Sequence, residues 1–181
     1  MRQFRYSLGA MILHWAIAIA VIVNWRLASS AEGAPKEQAM ALMGTHKALG
    51  ITILALTILR IIWRLTHTQP PMSSMLKKWE VTLAKTIHAI FYVLLIALPL
   101  LGWIANSSFG RGVDMFGLFT IPPLPVADDP KVGGSIYDIH KVLGTTMILL
   151  IALHVLGALK HHFFDKNGEI YRMLPFGKVQ A

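Results

Sequence analysis

No cysteine occurs among the 181 residues. That excludes a disulfide framework, a zinc–thiolate site, an iron–sulfur cluster and haem attached through thioether bonds. Charge is scarce as well. Asp, Glu, Lys and Arg make up 14% of the chain, against about 25% in an ordinary soluble domain. Acids are the scarcer sign, nine against seventeen Lys and Arg, for a formal charge of +8. The basic residues flank apolar runs and form no separate basic domain, so no nucleic-acid partner is expected. What remains is 55% hydrophobic residues and eight histidines. Any metal chemistry therefore falls to imidazole.

Four segments have the roughly 20 largely apolar residues needed to cross hydrocarbon. They run over about 8–28, 46–65, 82–105 and 140–163. A lipid-exposed backbone must satisfy its own hydrogen bonds, so each is expected to be a helix. The fold class is then all-α, an integral membrane four-helix bundle in contact with lipid, and residues 1–181 form one domain. Ligand sites in such bundles lie between facing helices. The stretch 107–139 carries Pro122, Pro123, Pro125, Pro130, Gly133 and Gly134 and reads as an outer loop. Residues 31–45 read as a shorter one. With both termini inside, eleven basic residues, from Arg2 and Arg5 to Arg172 and Lys178, face the cytoplasm and six face outward. That bias favours cytoplasmic termini. The first apolar run exceeds the 7–15 residues of a signal-peptide core, so we read it as a membrane helix and not as a cleaved leader.

Two stretches repeat an opening. Residues 46–60 read HKALGITILALTILR and residues 140–154 read HKVLGTTMILLIALH. In a helix fourteen steps turn about 1400°, within about 40° of four full turns, and rise about 21 Å. His140 and His154 therefore share a face at two depths, a spacing suited to two haems stacked across a membrane. Each haem then needs a second histidine at matching depth. His46 opens the second segment as His140 opens the fourth, and both are followed four residues later by glycine, Gly50 and Gly144. For the inner level the candidates are His14 and His88, which depth does not separate. Ionisable residues inside membrane helices are rare and default to function. His67 precedes Pro70-Pro71 and reads as solvated. His161, seven residues past His154, is either an ordinary interfacial residue or a hydrogen-bonding partner at the inner surface. His162 points about 100° away.

Arg60 stands where the second repeat has His154. An arginine at that depth is costly unless paired, and guanidinium matches carboxylates bidentately. Arg60, with Arg64 one turn on, is expected to hold propionates of an inner haem or to touch a quinone; the plainer alternative is snorkelling to lipid phosphate.

These residues, taken in order, resemble the bacterial cytochrome b561 family of four-helix dihaem membrane proteins. The resemblance runs through Ile12-Leu-His-Trp15, His46-Lys-Ala-Leu-Gly50, Arg60 with Arg64, the Pro70-Pro71 loop and His88. It continues with Ala97-Leu-Pro-Leu-Leu-Gly102, His140-Lys-Val-Leu-Gly144, His154, His161-His162 and Arg172-Met-Leu-Pro175. It implies two haem b groups, one held by His14 with His154 and one by His46 with His140. It implies quinone as an electron partner near His161, in a bacterial inner membrane. In one member superoxide gives electrons on the outer side, so superoxide or another periplasmic donor is the expected source. Two alternatives from other classes are a haem b anchor subunit relaying electrons for a partner redox protein, and a histidine-lined metal or haem transporter.

Overall fold

The computed structural model describes residues 5–71 and 75–177; Arg2 and Lys178 of the charge count above lie outside them. Its helices are α1 (Leu8–Ala31), α2 (Lys36–Thr66), α3 (Lys78–Ser107) and α4 (Pro130–Phe163), followed by a short 3₁₀ helix, Glu169–Met173. All four long helices are apolar enough to cross a membrane, yet at most 17% of each apolar window is buried. Such wide apolar faces turned outward are untenable in water and suited to lipid. The chain is an all-α, multi-pass membrane protein.

Two helix starts differ from the sequence reading. α2 begins ten residues before His46, and α4 begins ten residues before His140. Residues 36–43, KEQAMALM, are strong helix formers with Glu37 in the first turn, where the helix dipole favours an acid. They are too polar to sit in hydrocarbon but not to be helical. At α4 the Asp129 carboxylate accepts from the amides of Lys131 (2.9 Å) and Val132 (3.3 Å), and Pro130 takes the first helical position. An acidic cap before proline is a strong helix start. The stretch 107–139 is therefore not all loop. Neither His46 nor His140 opens its helix; each sits about 15 Å along it.

The α3–α4 connection, 108–129, holds a two-stranded antiparallel hairpin, β1 (Val113–Asp114) with β2 (Thr120–Ile121). Its turn places Phe116 and Gly117 at positive φ, and the Gly117 amide donates to Asp114 Oδ2 at 2.9 Å. Val113 is fully buried against the bundle.

Within the bundle α1 packs on α2, α2 on α3 and α3 on α4, whereas α4 stands off from α1 and α2. The first contact is locked by Gly9, where a Cβ would fall 2.3 Å from Trp63. The Trp63 indole also donates to the Ser7 hydroxyl at 2.9 Å. Both ends of the described chain meet at one end of the bundle. The Tyr6 amide donates to Arg172 O at 3.2 Å and the Trp15 indole to Met173 O at 2.8 Å. Arg5 reaches Pro175 O. The buried Arg172 guanidinium donates to Pro71 O, in the α2–α3 connection.

Candidate functional site

The gap between α4 and the α1–α2 pair is a cavity of about 510 Å³ lined by all four helices, with His46 and His140 in its wall. Their ring centroids are 6.0 Å apart and their planes cross at 84°. His46 Nδ1 lies 3.0 Å from Asn24 O on α1, and His140 Nδ1 lies 2.9 Å from Leu98 O on α3. A carbonyl only accepts, so each Nδ1 carries the proton. Each Nε2 is then left with its lone pair, the form that binds metals. Locking the second ring nitrogen is what orients a ligating imidazole. Two metal–imidazole bonds of about 2.0–2.1 Å each set the nitrogens about 4 Å apart. The two ring radii take up the rest of the centroid spacing, so one metal atom fits between the rings.

The surroundings also suit a flat macrocycle. A Cβ added at Gly144 would meet nothing within 4 Å, and one at Gly50 would meet only the Asn24 amide at 3.8 Å. Both glycines border the cavity, so the space one turn from each histidine is open. Asn24 Oδ1 and Trp103 Nε1, in the same wall, are buried without a hydrogen-bond partner among the described residues. Buried polar atoms are almost always partnered, and two orphans facing one cavity fit a polar-edged occupant. The residues present fit a haem ligated by two histidines.

Gly102 serves a different purpose. A Cβ there would fall 3.3 Å from His140 Cε1 and 3.5 Å from Nδ1, so its absence lets the imidazole lie against α3 and reach Leu98 O. Gly102→Ala is expected to press the ring off that carbonyl. Loss of such an outer partner typically costs 10–100-fold in metal affinity, read here as faster loss of one haem to a scavenger protein, with the other haem unaffected.

The second histidine group, around His154, is differently arranged. The His154 ring makes edge contacts with His88 (5.6 Å) and Phe91 (5.5 Å), both on α3. His14 makes its ring contact with Trp15 at 5.4 Å and lies within electrostatic reach of Arg60, His154 and His88. Arg60 Nη1 donates to Ala10 O at 2.8 Å, one turn before His14 on α1. The Arg64 guanidinium sits 6.0 Å from the Tyr92 ring centre. Arg60 and Arg64 thus border one small hollow with Tyr6 and Trp63. His67 caps the end of α2, exposed and stacked on Trp63 at 4.0 Å.

His161 belongs to a polar cluster at the C-terminal end of α4. Its Nδ1 is 2.6 Å from Asp165 Oδ2. The Lys160 ammonium reaches that same oxygen at 2.7 Å and the buried Glu80 at 2.9 Å. The nearby ligand atoms of Glu80, His161 and Asp165 could suggest a metal, but Lys160 already supplies the cation. The Lys160 ammonium, with a share from His161, holds Asp165 below the usual carboxylate range. Any stability it contributes is therefore lost only as pH falls through that lowered value. His162 packs edge-on against Tyr171 at 5.3 Å, its Nδ1 buried without a partner among the described residues.

Sequence reasoning missed Asn24 and Leu98, the partners of the two imidazoles. Both act through backbone carbonyls, which leave no mark on a side-chain pattern.

A family model described as prokaryotic cytochrome b561 matches residues 5–176. A protein of Yersinia pestis named "Probable superoxide oxidase CybB" is 30% identical over 173 residues, covering 94% of this chain and 96% of that one. "Cytochrome b561 homolog 2" of Escherichia coli (strain K12) is 28% identical over 176 residues, covering 94% and 91%. "Cytochrome b561 homolog 1" of the same organism is 27% identical over 173 residues, covering 94% and 97%.

Proposed function

Since the chain belongs to the prokaryotic cytochrome b561 family, whose members bind haem b and transfer electrons across membranes, we propose that it is a superoxide:quinone oxidoreductase holding two haem b groups. In this reading superoxide is oxidised at the outer face and membrane quinone is reduced near the cytoplasmic face. The observation that carries the proposal is the outer pair of imidazoles, 6.0 Å apart, each with Nδ1 committed to a carbonyl of another helix.

Bound haem supplies a one-electron couple, and two such couples match a two-electron quinone. His46 with His140, and His14 with His154, would each hold one haem through two imidazoles. No position is then left for oxygen to bind, as expected of a site that only passes electrons. The side chains fix orientation and exclude water; Val113 closes the outer end of the cavity wall. Arg60 and Arg64 supply positive charge for inner propionates or a quinone oxygen. His161, tied to Asp165, offers a quinone its remaining ring nitrogen. The two ends of the described chain meet the Pro71 connection at one end of the bundle, and the basic residues favour that end as cytoplasmic in a bacterial inner membrane.

Inward electron flow works against a membrane potential, about 2.3 kcal/mol per 100 mV for one charge. The donor must therefore be strongly reducing, as superoxide is. The similarity to a protein named as a probable superoxide oxidase supports that donor. Stopped-flow absorbance of the purified chain tests it. Superoxide should reduce the haem bands rapidly, and added quinone should reoxidise them. Haem that superoxide leaves oxidised, but a partner dehydrogenase reduces, would replace this reading with that of an anchor subunit.

A further inference from the structure

The cavity wall contains a donor set that the histidines do not use. The Trp103 indole N–H is buried and has no acceptor among the described residues. Indole nitrogen can only donate, so the missing partner must be an acceptor. One turn on along α3, Asn106 Oδ1 accepts from the Lys47 ammonium at 3.3 Å. The Asn106 amide donates to Arg111 O (2.7 Å) and Gly112 O (3.1 Å), which fixes its oxygen toward Lys47. Residues three apart on a helix are surface neighbours, so Trp103 and the Asn106–Lys47 pair lie side by side. Both Trp103 and Lys47 border the cavity, as does Arg111.

The repeated His-Lys opening sharpens the point. Lys141, next to His140, is paired with Glu32 at 2.7 Å. Lys47, next to His46, is half-buried, and among the described residues its partner is a neutral amide; no carboxylate lies within ion-pair distance. A half-buried ammonium beside an orphan N–H donor calls for an anionic oxygen acceptor.

We infer that Trp103 Nε1 and Lys47 Nζ form a carboxylate subsite that takes a propionate of the haem held by His46 and His140. The inference rests on the haem reading above. Arg111 adds positive charge from the rim, where its guanidinium lies 5.9 Å from the Phe109 ring centre. The subsite adjoins Gly102, against which His140 rests, so one stretch of α3 positions both the iron and the edge of the ring.

Lys47→Gln, Lys47→Arg, Trp103→Phe and Lys141→Gln are compared in the full-length, haem-loaded protein. The readouts are redox titration of each haem and resonance Raman spectra of the propionate bending modes. A positive charge beside a propionate favours the added electron. Lys47→Gln should therefore weaken reduction of one haem about tenfold, about 59 mV for a one-electron couple, and leave the other haem in place. Trp103→Phe should shift the same haem less and move its propionate band, whereas Lys47→Arg should hold the potential near the parent value. Unchanged potentials and propionate bands in both Lys47→Gln and Trp103→Phe would overturn the subsite. So would an equal shift in Lys141→Gln, which would show bulk charge at work. A parent protein that carries no bis-histidine haem at His46 and His140 would sink the haem reading itself, and its own spectrum would reveal that before any variant was made.

Discussion

Replacing His46 or His140 with alanine is expected to halve the haem content of the purified protein, from the proposed two groups per chain to one. The outer iron would lose one of its two protein bonds, together with the link it makes between α2 and α4. Those helices do not pack directly on each other, so little else draws them together. No third histidine is placed to substitute. His46 and His140 make their ring contact with each other, while the remaining intramembrane imidazoles cluster around His154. The loss should also be felt in folding. A ligand bound only by the native state stabilises it by RT ln(1 + [L]/Kd), about 4 kcal/mol at a thousandfold excess over Kd. The variants are therefore expected to melt earlier than the parent. Haem extracted per chain and the number of waves in a redox titration both check this. Two haems per chain with unaltered potentials in His46→Ala would remove His46 from the ligand set.

How much of this was legible in the residues depends on what each signal measures. Hydropathy finds what can sit in lipid, so it located four spans but not the helix ends. The α2 extension, Lys36–Thr45, is helical and polar. The Asp129-Pro130 cap was in plain view, yet a reading governed by apolar length placed it in a loop. That error left the angular argument intact, because the phase between His140 and His154 does not depend on where α4 starts. It did misplace the histidines at helix openings. Gly102 was visible as part of a Leu-Pro-Leu-Leu-Gly stretch, but its use appears only when α3 is set beside His140. Trp103 sits near the end of an apolar run, where aromatic rings ordinarily mark the membrane interface. Its orphan donor is a property of packing, and no spacing rule reports it.

The second large effect concerns the inner iron. His14→Ala is expected to remove the inner haem, whereas His88→Ala is expected to keep it and shift its potential. Ring contact alone argues the other way, since His88 is the imidazole nearest His154, at 5.6 Å. Helix packing supports His14 instead. His88 is on α3 and His154 on α4, and these helices pack directly on each other. Packed helices run about 8–10 Å apart, which leaves no room for a macrocycle between two side chains that must both reach its iron. The outer pair shows the alternative: His46 and His140 come from α2 and α4, which stand apart around a cavity. His14 and His154 repeat that relation on α1 and α4, which also stand apart. Arg60 favours the same pairing, because its bond to Ala10 O holds a guanidinium one turn from His14, where a propionate would need a cation. His88 would then flank the inner haem as a neighbour, close enough to tune its potential without binding its iron. Haem content and redox titration of the two variants separate the cases. Retention of two haems in His14→Ala, with loss of one in His88→Ala, would move the ligand to α3 and require α3 and α4 to part when haem binds.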